Sequence, residues 1–283
     1  MTIDIICPLY NAEKYINNLH SNLLKQKNVD INQINYVLTR SNDNSEEILK
    51  NLNCKYVVIE KDEFSHSLTR ENIAKKCNAD ILVFITQDIN IQKDDWLYNL
   101  VNCITKGECE AAYSRQVCTN NTLEKYTRER NYPENSFIVS DKDIKKLGLK
   151  TFFFSDASSA IRRDIFMKLN GYDGKRLPTN EDMYFAYKLI SNGYRIKYCS
   201  DSVVEHSHQF TLKQLYKRYY DTGVFFKENN YLNKFRVNQA GGGMAIYVLK
   251  RALQDKNLKV LLQFIPNMAT RFIGMKMGKM NGK

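Results

Sequence analysis

The run Ile81-Leu82-Val83-Phe84-Ile85, followed at once by Thr86-Gln87-Asp88, decides the fold. Five consecutive apolar residues of mostly β-branched and aromatic type predict a strand that is buried on both faces. The polar tripeptide then places a carboxylate at the carboxyl end of that strand. Similar runs at Ile3–Cys7, Ile34–Leu38 and Tyr56–Ile59 predict three further strands of the same kind.

Amphipathic stretches separate these strands. They predict helices near residues 12–26, 44–52 and 67–78, and Asp43-Asn44-Ser45-Glu46 has the composition of a helix N-cap. Alternation of strands and helices predicts an α/β fold with a mostly parallel central sheet flanked by helices. Ligands of such sheets bind beyond the carboxyl ends of the strands.

Fewer helices and strands are predicted for the remainder of the chain. Residues 108–150 are polar and are interpreted as a connecting region without regular elements. The elements predicted after it are a strand-like run at Phe152–Phe154, a helix from about Arg163, a helix over 183–192 that ends at Gly193, and strands at Arg195–Tyr198 and Val203–His206.

Composition places the chain among soluble globular proteins. It has 283 residues, of which 43% are hydrophobic and 26% charged, which excludes disorder and a disulfide-stapled miniprotein. The seven cysteines include no pair with the spacing of a zinc or redox site, so reduced thiols in a cytosolic protein are expected. No basic segment precedes Ile3–Cys7, and we predict no signal peptide. The apolar runs are too short to span a bilayer.

The charge is concentrated at one end of the chain. Residues 1–210 carry 28 basic and 28 acidic residues, whereas 211–283 carry 14 and 3. We therefore predict two parts, a domain over 1–210 and a basic helical C-terminal region over 211–283. From Leu258 apolar residues recur at helical spacing, with Pro266 as a break, which fits binding to an anionic membrane surface. The alternative is a helix packed on the body, and nucleic acid is not expected because no reading motif accompanies the charge.

Polar residues follow each predicted strand. The four clusters are Pro8-Leu9-Tyr10-Asn11, Thr39-Arg40-Ser41-Asn42-Asp43, Phe64 to Arg70, and Thr86-Gln87-Asp88. Turns and helix caps have a similar composition, which is the alternative explanation. No glycine-rich phosphate loop is present, so a bound nucleotide would need a metal ion and side chains to hold its phosphates.

Two groups could bind a divalent cation. Asp88, at a strand end beside a cleft, would suit Mg²⁺ or Mn²⁺, although it could also be a helix cap. In His206-Ser207-His208 both imidazoles share a face if the segment is extended. One or both could ligate the metal or contact a phosphate; ordinary structural histidines are the alternative.

Further titratable residues could bind or activate substrates. Glu181 and Asp182 stand at a predicted helix start, where the helix dipole alone could account for them, or where one could be a general base. Arg70 could reach a diphosphate or pair with a nearby acid. Asp156 could face an acceptor or cap the following helix.

The order and spacing of these motifs resemble the family 2 inverting glycosyltransferases over roughly residues 1–220. Their fold is the nucleotide-sugar-binding α/β domain called GT-A. The motifs that carry the resemblance are Cys7-Pro8-Leu9-Tyr10-Asn11, Ser41-Asn42-Asp43, Thr86-Gln87-Asp88, Asn180-Glu181-Asp182 and His206-Ser207-His208. Five stretches are similar to the bacterial rhamnosyltransferase branch, namely Phe64 to Arg70, Thr86-Gln87-Asp88, Ser114-Arg115-Gln116, His206 to Thr211 and Arg271 to Gly278.

The resemblance implies roles for the matching residues. Asp182 matches the catalytic base with Glu181 beside it, Asp88 the last aspartate of the D-x-D metal motif, and His206 a metal- or diphosphate-binding histidine. His208 is a further candidate ligand, and Asp156 a candidate acceptor contact. The implied donor-binding residues are Pro8, Tyr10, Asn11, Ser41, Asp43, Arg70 and Gln87.

Together these roles imply an inverting transferase that moves L-rhamnose from a dTDP donor to a lipid-linked glycan. It would use Mg²⁺ or Mn²⁺ and act in the cytoplasm at the inner membrane face. Leu38 and Thr86 stand where the family often has acids, which leaves the donor base and the metal affinity open. The alternatives are transfer from a UDP-hexose or UDP-N-acetylhexosamine, and a non-catalytic module that binds a nucleotide or glycan.

Overall fold

The computed structural model describes residues 1–207, 209–235 and 238–281, with the side chains of 238–241 left out. An eight-stranded sheet forms its centre, in the order β3-β2-β1-β4-β7-β5-β8-β6. Its strands are β1 (Thr2–Leu9), β2 (Asp30–Thr39), β3 (Tyr56–Ile59), β4 (Ile81–Ile85), β5 (Ala111–Val117), β6 (Phe137–Val139), β7 (Ser158–Arg162) and β8 (Ile196–Glu205).

Helices cover both faces of the sheet and continue beyond it. Those of the first 210 residues are α1 (Glu13–Leu24), α2 (Ser45–Asn51), α3 (His66–Ala74), α4 (Trp96–Thr105), α5 (Leu123–Asn131), α6 (Ile144–Leu147), α7 (Arg163–Lys168) and α8 (Glu181–Ser191). The C-terminal ones are α9 (Leu212–Glu228), α10 (Asn238–Gln254) and α11 (Leu258–Asn281). Short 3₁₀ turns occupy Asp141–Asp143, Gly148–Phe152 and Asn230–Lys234.

The four predicted strands are confirmed, but the predicted burial of Tyr56–Ile59 is wrong, because β3 lies at the edge of the sheet and Val57 is exposed. All five residues of β4 are buried, and they alternate between two apolar cores. Leu82 and Phe84 contribute to one core, whereas Ile81, Val83 and Ile85 contribute to the other. This two-sided burial explains why the strand has no polar face.

Strand direction determines where the functional residues meet. β1, β2, β3 and β4 are mutually parallel, β7 runs against β4 and β5, and β5 is parallel to β8. The carboxyl ends of β1, β4, β5 and β8 therefore share one edge of the sheet. Residues 86–88 and 206–207, more than a hundred positions apart, are adjacent at that edge.

Several predicted elements differ from the observed ones. Residues 108–150 are not irregular but contain β5, α5, β6 and α6. The predicted strand-like run at Phe152–Phe154 is not a strand, because Phe152 ends a 3₁₀ turn and no regular element follows over 153–154. The two strands predicted over 195–206 form the single strand β8, which has a register shift opposite Ser114 and Arg115. Pro266 lies inside α11 and does not end it.

The C-terminal helices pack tightly on one another. A Cβ atom on Gly278 would overlap the carbonyl oxygen of Tyr220, and one on Gly274 would lie 2.7 Å from the carbonyl oxygen of Tyr216. Only glycine permits this approach of α11 to α9. α11 is thereby held against α9. The division of the chain at residue 210 stays a prediction.

Candidate active site

A cavity of about 930 Å³ opens at the carboxyl edge of the sheet. Asp88, Asp182 and His206 all line it, together with residues from α3, α5, α9 and α11. The predicted grouping of two carboxylates and an imidazole around one hollow is thus observed. Its volume is in the range of cavities that take small molecules and cofactors.

Asp88 and His206 form a pair of candidate metal ligands inside the cavity. Asp88 Oδ1 lies 3.5 Å from His206 Nε2, and the two side chains are 20% and 7% exposed. Among the described residues no cluster of three or more histidine, cysteine or acidic side chains could hold a metal ion. One carboxylate and one imidazole fit a divalent cation whose remaining ligands are water and substrate phosphates. His208 lies outside the described residues.

The orientation of His206 is set by Gln116 of β5. Gln116 is buried, its Nε2 donates to Ser155 Oγ at 2.8 Å, and its Oε1 accepts from Arg128 Nη1. Oε1 also lies 2.8 Å from His206 Nδ1, while Arg128 Nη2 lies 3.2 Å from the same nitrogen. The shorter contact, to an oxygen that cannot donate, puts the ring hydrogen on Nδ1. His206 Nε2 then presents its lone pair toward Asp88.

We expect Gln116→Leu to lower the affinity for Mn²⁺ by about tenfold, because His206 loses the acceptor that holds its ring and tautomer. Titration of Mn²⁺ followed by electron paramagnetic resonance, with dTDP present, measures this without any turnover. Gln92→Leu is the matched control, since Gln92 is exposed. An affinity equal to that of the wild type would show that Gln116 does not position this histidine.

Asp182 lines the cavity and has a raised pKa. Its Oδ1 accepts from the backbone N–H of Met183 at 2.7 Å, and Asn180 before it has the positive φ of 60°. Burial, and next the charges of Glu181 and Asp156, raise the pKa of Asp182 well above its ordinary value. A carboxylate with a raised pKa is a stronger base than an exposed one, as general-base catalysis requires.

Glu181 also lines the cavity and pairs with Arg70. The distance from Arg70 Nη1 to Glu181 Oε1 is 3.4 Å, and the two side chains are 3% and 10% exposed. Arg70 also donates to the carbonyl oxygens of His66, at 2.9 Å, and Asp156, at 3.5 Å. Arg70 thus ties α3 to the start of α8 while lining the same cavity.

Asp156 lines the cavity through a side chain whose oxygens are engaged. Oδ2 accepts from Tyr172 OH at 2.6 Å and Oδ1 from Ser159 Oγ at 2.7 Å. Burial, which outweighs the opposing charge of Arg70, raises its pKa. These contacts favour a positioning role over the acceptor contact predicted from the sequence, which stays a prediction.

The predicted donor-binding residues divide into two groups. Pro8, Tyr10 and Gln87 line the cavity, where Gln87 accepts from Tyr10 N at 2.7 Å and donates to Tyr10 O at 2.9 Å. Ser41 and Asn11 are not among the residues lining it. Asp43 is not either; its carboxylate accepts from Ser41 Oγ, Ser45 Oγ and Glu13 N, which joins α1 to α2.

The C-terminal helices supply a wall of the cavity that was not predicted from the sequence. Arg218 and Tyr219 of α9 line the cavity, as do Lys259 and Arg271 of α11. Arg271 donates to Tyr219 OH at 2.6 Å. Arg271 begins the stretch that resembles the rhamnosyltransferase branch. The spacing of residues in that stretch does not indicate that the helix folds back onto the sheet edge.

Comparison with known proteins places this geometry in a family. A model of glycosyl transferase family 2 matches residues 4–169. The O-antigen chain rhamnosyltransferase RfbN of Salmonella typhimurium (strain LT2) is 32% identical over 287 residues, covering 99% of this chain and 90% of that protein. WbaN of Salmonella anatum, also an O-antigen chain rhamnosyltransferase, is 31% identical over 282 residues, with 97% and 88% covered.

A solved structure has the same fold. The mannosyltransferase PcManGT from Pyrobaculum calidifontis, in complex with GDP-Man and Mn²⁺, aligns with a TM-score of 0.65 at 14% identity, covering 99% of this chain and 87% of that one. The α/β class and the GT-A fold predicted from the sequence are confirmed. At this identity the likeness shows the fold alone.

Proposed function

Because the chain belongs to glycosyltransferase family 2, we propose that it is an inverting transferase that moves L-rhamnose from dTDP-rhamnose to a hydroxyl of a lipid-linked polysaccharide acceptor. The observation that carries the proposal is the meeting of Asp182 with Asp88 and His206 around one cavity. The near full-length relatives named as O-antigen rhamnosyltransferases support the choice of sugar and acceptor class.

The chemistry is a single displacement. Asp182 accepts the proton of the acceptor hydroxyl as that oxygen forms a bond to the anomeric carbon. The bond from the anomeric carbon to the phosphate oxygen breaks, and dTDP leaves with its electron pair. The leaving group carries its charge away, so no proton donor is required, and attack from the opposite face inverts the configuration.

Asp88 and His206 would hold Mg²⁺ or Mn²⁺. The bound ion would neutralise the charge that develops on the leaving diphosphate. The rest of the site orients the donor. Two hydrogen bonds join the Gln87 side chain to the backbone of Tyr10, and the exposed Tyr10 ring contacts the nucleotide base. Arg70 lines the cavity between these residues and α8.

A panel of sugar nucleotides tests the proposal. Purified protein is incubated with a lipid-linked glycan and dTDP-rhamnose, UDP-glucose or UDP-N-acetylglucosamine, each with and without EDTA. We expect transfer from dTDP-rhamnose, loss with EDTA and recovery with Mn²⁺. Transfer from a UDP-sugar instead would establish the alternative donor, and nucleotide binding without any transfer would indicate a binding module.

We also propose that the enzyme acts at the cytoplasmic face of the membrane, attached through α11. No helix of the described residues is long and apolar enough to cross a bilayer. α11 instead has an apolar face whose side chains are each more than half exposed, formed by Leu258, Leu262, Ile265, Phe272, Ile273 and Met280. The surrounding region has 14 basic and 3 acidic residues over 211–283, so an anionic lipid surface is the occupant that fits.

Two charges on this apolar face should weaken membrane binding. Each aliphatic side chain that leaves the lipid costs about 1.5–3 kcal/mol, so Leu262→Asp with Ile265→Asp is expected to lower vesicle affinity more than tenfold. Co-sedimentation with phosphatidylglycerol vesicles measures it. Leu24→Asp is the control, because Leu24 is 67% exposed at the end of α1. Equal binding of both variants would contradict this attachment.

A further inference from the structure

One side of α11 faces the active-site cavity with polar residues only. Lys259, Gln263, Asn267 and Arg271, spaced four apart, all line the cavity, and we refer to them as the polar stripe. At 1.5 Å per residue the stripe extends for about 18 Å along the helix. The cavity therefore follows α11 over this length. The apolar face defined above lies on the other side of the same helix.

A second cavity adjoins the far end of the stripe. It has a volume of about 400 Å³, and Lys259 lines both cavities. Lys125, Lys256 and Leu258 also line the second cavity. A chain of lining residues thus connects the catalytic carboxylate to a cationic pocket at the junction of α10 and α11.

The charge of this pocket is not compensated within the described part of the chain. Asp255, the acid in its lining, pairs with Lys125 at 3.3 Å and with Arg251 at 3.3 Å, and also accepts from Tyr126 OH. Its negative charge is therefore already balanced. Neither Lys256 nor Lys259 makes an ion pair with any carboxylate of the described residues. Two ammonium groups remain to attract an anion.

We propose that these two cavities together bind the acceptor, with its glycan along the polar stripe and its diphosphate on Lys256 and Lys259. This inference rests on the proposed function. The amides of Gln263 and Asn267 can donate to and accept from sugar hydroxyls. A diphosphate between glycan and lipid supplies the anion that the lysines require.

The position of the pocket distinguishes the acceptor from the donor. The donor diphosphate belongs beside Asp88 and His206, and neither of these residues lines the second cavity. Leu258 lines the second cavity and is 72% exposed as the first residue of the apolar face. A lipid attached to the diphosphate would leave the pocket directly toward the membrane.

A binding experiment in solution tests this site without membranes or turnover. The same glycan is used in two forms, one linked to a short alkyl chain through a diphosphate and one as a neutral alkyl glycoside. Each form is titrated into the protein and its binding is measured by calorimetry. Lys256→Ala with Lys259→Ala is expected to weaken binding of the diphosphate form about tenfold and to leave the neutral form unchanged. Lys250→Ala with Lys276→Ala is the control, since it removes the same charge from exposed lysines that line neither cavity.

Two outcomes would overturn the inference. The first is unchanged affinity of the Lys256 and Lys259 variant for the diphosphate glycan. In the second, the Lys256 and Lys259 variant loses more binding to phosphatidylglycerol vesicles than the control variant does, but keeps its affinity for the glycan. This result would assign the lysines to phospholipid head groups. Failure of the proposed function gives a different result. The wild-type protein would then bind the diphosphate glycan through these lysines but transfer no rhamnose, which would disprove only the transfer.

Discussion

Asp182→Asn is expected to lower kcat by about a thousandfold while the affinity for dTDP-rhamnose stays within about twofold of the wild-type value. The amide has the size of the carboxylate and can still accept from Met183 N, which lies 2.7 Å from Oδ1. It cannot take a proton from the acceptor hydroxyl. Single-turnover rates and donor titrations on the same samples separate the two effects. Asp201→Asn, an exposed aspartate of β8, is the control.

The pH dependence provides a second, independent readout. As the proposed general base, Asp182 would act as the carboxylate, and burial with neighbouring acids raises its pKa well above that of an ordinary aspartate. Activity is therefore present above this raised pKa and is lost as the pH falls through it. We expect the acid limb of kcat/KM to lie above the usual aspartate range in the wild type and to vanish in the variant. Wild-type turnover by Asp182→Asn would place the base elsewhere.

How far the sequence predicts the fold depends on where each residue finds its partners. β4 can be predicted from the sequence because its five apolar residues need only burial and no specific hydrogen-bond partner. β5 was missed because it contains Ser114 and Gln116, which are buried yet polar. Their partners come from distant segments, for example Trp96 Nε1 and Ser158 Oγ on Ser114 Oγ, at 3.1 and 2.6 Å. A local pattern cannot show that such hydrogen bonds will be made.

The same distinction applies to the active site. Asp88 follows one predicted strand and His206 ends another, so the rule that carboxyl ends share an edge brings these two together. The place of Asp182 beside them was implied by the family resemblance. Arg128 and Arg271 depend instead on how α5 and α11 cross the sheet edge, which tertiary packing decides. The close approach of α11 to α9 requires Gly278, whose role appears only once the Tyr220 backbone beside it is known.

Arg70→Met is expected to lower the free energy of unfolding by about 3–5 kcal/mol, because it leaves Glu181 buried without its charged partner. Exposure, not distance, decides the size of this effect. Arg162 and Asp164 are closer, at 2.6 Å against 3.4 Å for Arg70 and Glu181, but their side chains are 37% and 61% exposed. Solvent screens that pair, and Arg162→Met should cost at most about 1 kcal/mol.

A double variant tests whether the cost arises from the stranded charge. Arg70→Met with Glu181→Gln removes both charges and should be more stable than Arg70→Met alone by more than 1 kcal/mol. Urea unfolding followed by circular dichroism measures all of these variants. Recovered stability without recovered activity would show that Arg70, Glu181 or both are needed in the cavity as well as in the fold. If Arg70→Met were no less stable than Arg162→Met, the ion pair would not hold α3 to the start of α8, and the position of Asp182 would depend on other contacts.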